Sequence, residues 1–205
     1  MKKMLKDAAI LFAITLTAGL VLGFVYQLTK EPIAEQEWKA KQEAYREVFQ
    51  EAASFEAVED IGLERANAML AEAGFSGQEF TDLFQRACDA QGNTLGYVLT
   101  VTTHEGYGGD ITFTMGLTNE GVLNGISILS ISETPGLGMK AEKVLKPQFA
   151  DKKVEQFTYT KTGAVDDTQI DAISGATITT NAVTSGVNAG LYYFQNALQE
   201  GGNQG

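Results

Sequence analysis

A single cysteine, Cys88, excludes an intramolecular disulfide and any zinc or iron–sulfur centre built from this chain's own cysteines. Cys88 itself reads as a small buried or half-buried residue. The only histidine is His104, and no Ser-His-Asp pattern accompanies it, so a self-sufficient hydrolase is not indicated. Neither Lys nor Arg occurs after Lys161. No Gly-Lys-Ser/Thr follows a glycine-rich turn, which removes a P-loop, and no G-x-G-x-x-G opens a helix, which removes a nicotinamide-binding sheet. Positive charge is scarce overall: the formal net charge is -11, and nucleic acid is not an expected partner.

Apolar sequence is abundant at one end. Ala8 to Tyr26 contains no charged residue and is rich in Leu, Ala, Val, Ile and Phe. At about 1.5 Å per residue such a helix crosses the ~30 Å hydrocarbon core of a bilayer. Lys2, Lys3 and Lys6 precede it, and Lys30, Glu31, Glu35 and Glu37 come after it. The positive-inside bias places residues 1–7 in the cytoplasm, a transmembrane helix over 8–28, and the rest outside the cytoplasm. A cleaved signal peptide is the alternative, but the run is long for one and no A-x-A-like site closes it. Gly19 and Gly23 have the spacing of a helix-packing face.

The sequence beyond the anchor is long enough for one domain with its own core. Residues 31–60 carry nine carboxylates against three bases, with Trp38, Tyr45, Val48, Phe49 and Ala52 near one helical face. The expectation is a stalk helix docking on the domain, a second helix over Leu63–Ala73 stopped by Gly74, and a short helix over Glu79–Ala87. These fill an extracytoplasmic segment, 29–90. From Leu95 the period becomes two: Tyr97, Leu99 and Val101, then Ile111, Phe113, Met115 and Leu117, then a strand over Val122–Ser132. Asn119-Glu120-Gly121 makes a turn between the last two. Strands in sequence with helices before and after predict an α+β fold with an antiparallel meander, in a domain over 91–199. Residues 200–205 read as a disordered tail.

Glycine-rich loops punctuate the strands. Gly106-Tyr107-Gly108-Gly109 precedes the Ile111 strand, and Glu133-Thr134-Pro135-Gly136-Leu137-Gly138 comes after Ser132. Glycines in the second loop permit close approach of backbone to a flat ligand; each loop taken alone also reads as an ordinary tight turn. Beyond Gly138, Lys140, Lys143, Lys146, Lys152, Lys153 and Lys161 oppose only Glu142, Asp151 and Glu155. This local excess reads as a solvated face, or as cations facing a ligand phosphate or an anionic partner.

The densest chemical signal is Ser174–Thr180, reading SGATITT. Val183, Val187, Leu191, Phe194 and Leu198 then recur at helical spacing, with Thr179, Thr180 or Asn181 available as a cap. The free amides and dipole of a helix start favour an anion. With no cation after Lys161, a phosphate held there relies on backbone amides, on cations from elsewhere, or on a covalent bond. A plain Ser/Thr/Gly cap explains the same letters.

Taken together, DAISGATITT at 171–180, ETPGLG at 133–138 and GYGGDI at 106–111 resemble, in order, the hallmark loops of the FMN-binding domain family. With the apolar anchor and Lys30-Glu31-Pro32-Ile33, the chain is similar to the G subunits of Rnf electron-transport complexes. It is also similar to the C subunits of sodium-pumping NADH:quinone reductases; its compact length favours the former. The resemblance implies covalent FMN, with its phosphate esterified to Thr179 and with Thr180 one place outside the pattern. It implies that Ser174, Gly175, Ala176 and Thr177 position the phosphate. Glu133, Thr134, Gly136, Leu137 and Gly138 would line the isoalloxazine. Asp171 would assist a separate flavin transferase that installs the FMN, with a metal ion. The implied partners are the other subunits of a membrane complex that moves electrons between ferredoxin and NAD, coupled to sodium or proton translocation. Two further readings stay open: a stand-alone membrane-anchored flavoprotein, and an anchored binding module without redox activity.

Overall fold

The computed structural model describes residues 2–199, so the expected tail at 200–205 lies outside the described residues. The chain divides between Gln42 and Glu43 into two compact units. The first belongs to a single long helix, α1, Lys2–Val48. Its N-terminal part is long and apolar enough to cross a membrane. Three threonines in it solve their own polarity: Thr15 and Thr17 donate to the carbonyls of Leu11 and Ala13 at 3.1 and 2.8 Å, and Thr29 donates to Val25 at 3.0 Å. Hydroxyls bonded back to the helix carry little desolvation cost in hydrocarbon. Lys39 and Glu35 pair one turn apart at 2.7 Å on the polar part.

The second unit is built on an antiparallel sheet. Its strands are β1 Ser54–Ala57, β2 Gln78–Phe80, β3 Gln85–Cys88, β4 Thr94–Thr103, β5 Ile111–Thr118 and β6 Leu123–Ile131. The order is β1-β3-β4-β5-β6, with β2 pairing the far end of β4. Around it lie α2 Leu63–Glu72, α3 Ala141–Val144, a parallel pair of strands β7 Thr158–Thr160 and β8 Gln169–Asp171, and α4 Thr177–Tyr193. This is the α+β class with an antiparallel meander, β4–β5–β6. The helix expected over Glu79–Ala87 is replaced by β2 and β3. Phe80 and Phe84, four apart, mimic a helical face, but Phe80 faces Val101 across a ladder and Ala87 faces Gly96. Pairing with β4 overrides the local pattern.

The stalk expected over 31–60 likewise ends at Val48, because residues 54–57 pair with β3 as an edge strand. Of its expected docking face, Tyr45, Val48 and Phe49 are buried with Ala87 and Val98, while Trp38 is exposed. Asn124 donates to the Val48 carbonyl at 2.9 Å, satisfying a helix-end acceptor. Burial works against a charge on Glu47, but hydrogen bonds from Lys146 and Ser127 outweigh it and hold its carboxyl below the usual range.

The other sheet face carries the main core. Val183, Val187, Leu191, Phe194 and Leu198 of the final helical segment are buried among Leu99, Val101, Phe113 and Met115. Tyr193 packs against Phe80 and Phe84, with centroids 5.0 and 5.2 Å apart. Burying each such side chain contributes about 1.5–3 kcal/mol, which fixes α4 firmly on the sheet. Asn188 of α4 brackets Phe157, accepting its N–H at 2.7 Å and donating to its carbonyl at 2.8 Å. The N-terminus of α4 is thereby set beside the loops that leave β4 and β6.

Candidate functional site

Three loops meet at a buried carboxylate. Glu133 lies two residues beyond the end of β6 and is only 5% exposed. One of its oxygens, Oε1, accepts the backbone N–H of Gly108 at 3.2 Å. The other, Oε2, accepts the hydroxyl of Thr179, at 3.0 Å and 46 residues away in sequence. Thr179 is 1% exposed. Segments 106–109, 133–138 and 174–180 are thus joined through one side chain. Among the described residues no cation pairs with Glu133.

Backbone shape makes the junction possible. A Cβ on Gly138 would lie 2.6 Å from both Glu133 Oε2 and Thr179 Oγ1, so any side chain there would part the pair. Gly175 has φ +78, in the left-handed region that glycine adopts without penalty, and it turns the chain into α4 under Leu137. Thr134 accepts the N–H groups of Leu137 and Met139 through its carbonyl, closing the second loop on itself.

The start of α4 differs from the sequence expectation. The helix begins at Thr177, with Ala176 in the cap position and no side-chain cap. Thr179, Thr180 and Asn181 lie inside it. Thr180 is fully buried, donates to the Ala176 carbonyl at 3.0 Å and accepts the Ile173 N–H at 3.1 Å. Both capacities of its hydroxyl serve the fold. Among the described residues no side chain caps the first N–H groups of the helix, at Thr177 and its neighbours, and such amides suit an anion. Each loop also presents one large exposed apolar side chain: Tyr107, Leu137 and Ile178. Helix-start amides, a hydroxyl and an apolar rim fit a flat ligand with a phosphate tail.

The other expected site residues are spread between surface and core. Ser174, Gly175, Thr134, Gly136 and Leu137 are exposed, Thr177 is half-buried, and Ala176 and Gly138 are buried. Asp171 does not join the Glu133–Thr179 junction: its carboxylate accepts the Ala164 N–H at 2.6 Å, and its backbone is held by Gln148. Of the lysines after Gly138, Lys146 binds Glu47 and Glu142, and Lys152 binds Asp167, so these two hold the fold together. A groove of about 820 Å³ lies elsewhere, beside Val48, Phe49 and Lys146, and contains none of the site residues. His104 leads into the first loop. The Asp110 side chain bonded to it at 2.9 Å, with help from Glu79, raises its pKa despite some desolvation. The contact of Glu133 with Gly108 escaped the sequence reading. Its only signal was the glycine density of both loops.

Fold and site together define an FMN-binding domain, and the family model of that description matches residues 106–192. A second model, the RnfG N-terminal region, matches residues 1–48. The G subunit of the Na(+)-translocating ferredoxin:NAD(+) oxidoreductase complex of Acetobacterium woodii is 33% identical, over 95% of this chain and 93% of its own length. The G subunit of the proton-translocating ferredoxin:NAD(+) oxidoreductase complex of Clostridium ljungdahlii is 30% identical over 89% and 90%. The G subunit of the ion-translocating oxidoreductase complex of Methanosarcina acetivorans is 29% identical over 98% of both chains. The chain belongs to this family of G subunits. A crystal structure of Shewanella oneidensis NqrC covers 55% of this chain and 57% of its own at 20% identity, with a TM-score of 0.46.

Proposed function

We propose that this chain is a membrane-anchored flavoprotein subunit that relays electrons within an ion-translocating ferredoxin:NAD oxidoreductase complex. It carries FMN as a phosphoester on Thr179, on the side of the membrane opposite the cytoplasm. The observation that carries the site assignment is the convergence of three separated loops on the Thr179 hydroxyl, through Glu133. The near full-length likeness to G subunits of such complexes supports the assembly. The lysines before the apolar run support the orientation.

When bound, FMN supplies the electron-transfer chemistry; the protein places it and shields it. Thr177 and the amides at the α4 start would receive the phosphate, and the small side chain of Ala176 leaves room beside it. Leu137, Tyr107 and Ile178 offer apolar contact to the ring. Outside the cytoplasm a dissociated flavin is lost by dilution. A covalent bond removes that loss, and with it the need for arginine at the phosphate, in keeping with the lack of cations after Lys161. A dedicated flavin transferase installs the group. The site then relays electrons between partner subunits around the anchor.

The test is coexpression of the chain with a flavin transferase, followed by a denaturing gel under ultraviolet light. Fluorescence that survives denaturation and disappears in Thr179→Ala is the expected outcome. A wild-type chain that never fluoresces ends the flavin reading. Copurification with other membrane subunits separates a complex subunit from a stand-alone carrier.

A further inference from the structure

We propose that Glu133 is the proton acceptor for Thr179 when the phosphoester forms. This rests on the flavin attachment described above. A threonine hydroxyl is a weak nucleophile at its ordinary pKa and needs an adjacent base. Glu133 Oε2 lies 3.0 Å from Thr179 Oγ1, inside the 2.6–3.2 Å reach of a general base. Among the described residues no competing base is bonded to that hydroxyl. Asp171 is turned to Ala164, and His104 is held by Asp110 and Glu79.

The surroundings of Glu133 fit this role better than a structural one. A carboxylate that is nine-tenths buried without a cation is a costly thing to keep in a fold. Its second oxygen is fixed by the Gly108 N–H, so the first stays aimed at Thr179. The missing side chain at Gly138 leaves room for the two to touch. The same geometry explains the choice between neighbours. The Thr179 hydroxyl hydrogen points at a carboxylate, which can take a proton. The Thr180 hydroxyl points at the Ala176 carbonyl, which cannot.

The step balances without a redox partner. The phosphoryl donor is a flavin–nucleotide phosphoanhydride, since a simple phosphate monoester has no adequate leaving group. Thr179 Oγ1 bonds to the flavin-bearing phosphorus, its proton passes to Glu133 Oε2, and the phosphoanhydride P–O bond breaks. A nucleoside monophosphate leaves with the electron pair, and Glu133 returns its proton to solvent.

The experiment measures the rate of covalent incorporation into the full-length chain in detergent. Purified transferase and a flavin dinucleotide are supplied, the readouts are in-gel fluorescence and intact mass, and the rate is followed across pH. Glu133→Gln keeps the side-chain size but cannot accept the proton. It should lower the rate about 10²- to 10⁴-fold and abolish the acid limb of the wild-type profile, while melting cooperatively. A wild-type rate and profile in folded Glu133→Gln overturns the inference. Should Glu133→Gln fail to fold, Glu133→Asp decides. Its carboxylate sits one methylene further away, so attachment slowed about tenfold or more with the acid limb retained supports the role, and a full wild-type rate overturns it. If labelling is lost in Thr179→Ala but unchanged in Glu133→Gln, only this inference falls; if the wild type takes no label, the flavin reading itself falls.

Discussion

Replacing Thr180 by valine separates the two neighbouring threonines by their consequences. Valine keeps the shape and removes the hydroxyl. The Ile173 N–H, now bonded to it at 3.1 Å in a buried site, loses its acceptor. An orphaned buried donor costs about 1–3 kcal/mol. The Ala176 carbonyl loses one donor but keeps the Thr180 N–H at 3.0 Å, so that loss is about 0.5–1 kcal/mol. A buried methyl in place of the hydroxyl returns about 0.8 kcal/mol. The net destabilisation is about 2 kcal/mol. For a unit the size of Glu43–Gly205, that lowers the melting temperature by about 4–8 °C. Trp38, the only tryptophan, is exposed and would report poorly, so near-ultraviolet circular dichroism of the Phe80–Phe84–Tyr193 cluster is the better probe. Below its melting range Thr180→Val should still take covalent flavin. An unchanged melting temperature would refute the hydrogen-bond accounting. A folded Thr180→Val that takes no label, beside a labelled Thr179→Ala, would refute the choice of Thr179.

Gly138→Ala should abolish flavin attachment while both Glu133 and Thr179 remain, because its Cβ would press within 2.6 Å of each; in-gel fluorescence at the wild-type level would contradict this. His104 gives a pH effect of known sign. Its folded pKa is raised, chiefly by Asp110, so its stabilisation is fully present below the ordinary histidine pKa and fades as pH rises through the folded value. The wild type should therefore lose more melting temperature than His104→Gln between about pH 6 and pH 8.5, the range that brackets histidine titration. The effect should be small and should weaken in high salt, since the His104, Glu79 and Asp110 side chains are all substantially exposed. Equal losses in the two proteins would exclude the contribution.

Much of this protein is fixed by local sequence. The uncharged run Ala8–Tyr26 specifies a membrane-length helix by composition alone. The period-two residues of β4 and β5 and the period-3.6 residues of α4 mark side chains that share a face of the main core, because spacing records which side chains point the same way. That the opposite faces of β4 and β5 and most of α4 are covered as well was decided by packing. Segments whose state depends on a distant partner were not legible. Gln78–Cys88 forms strands because β4 offers free ladder positions, and α1 stops at Val48 because Val98 and Ala87 receive Tyr45, Val48 and Phe49. At the site, local glycine and hydroxyl patterns marked the three loops, and the resemblance to FMN-binding domains singled out Thr179 among their hydroxyls. Tertiary structure alone decided that Glu133 reaches Thr179 and that Thr180 is spent on the backbone. Hydrogen bonds across 46 residues depend on where a whole sheet and helix place their ends, and no spacing within either loop encodes that distance.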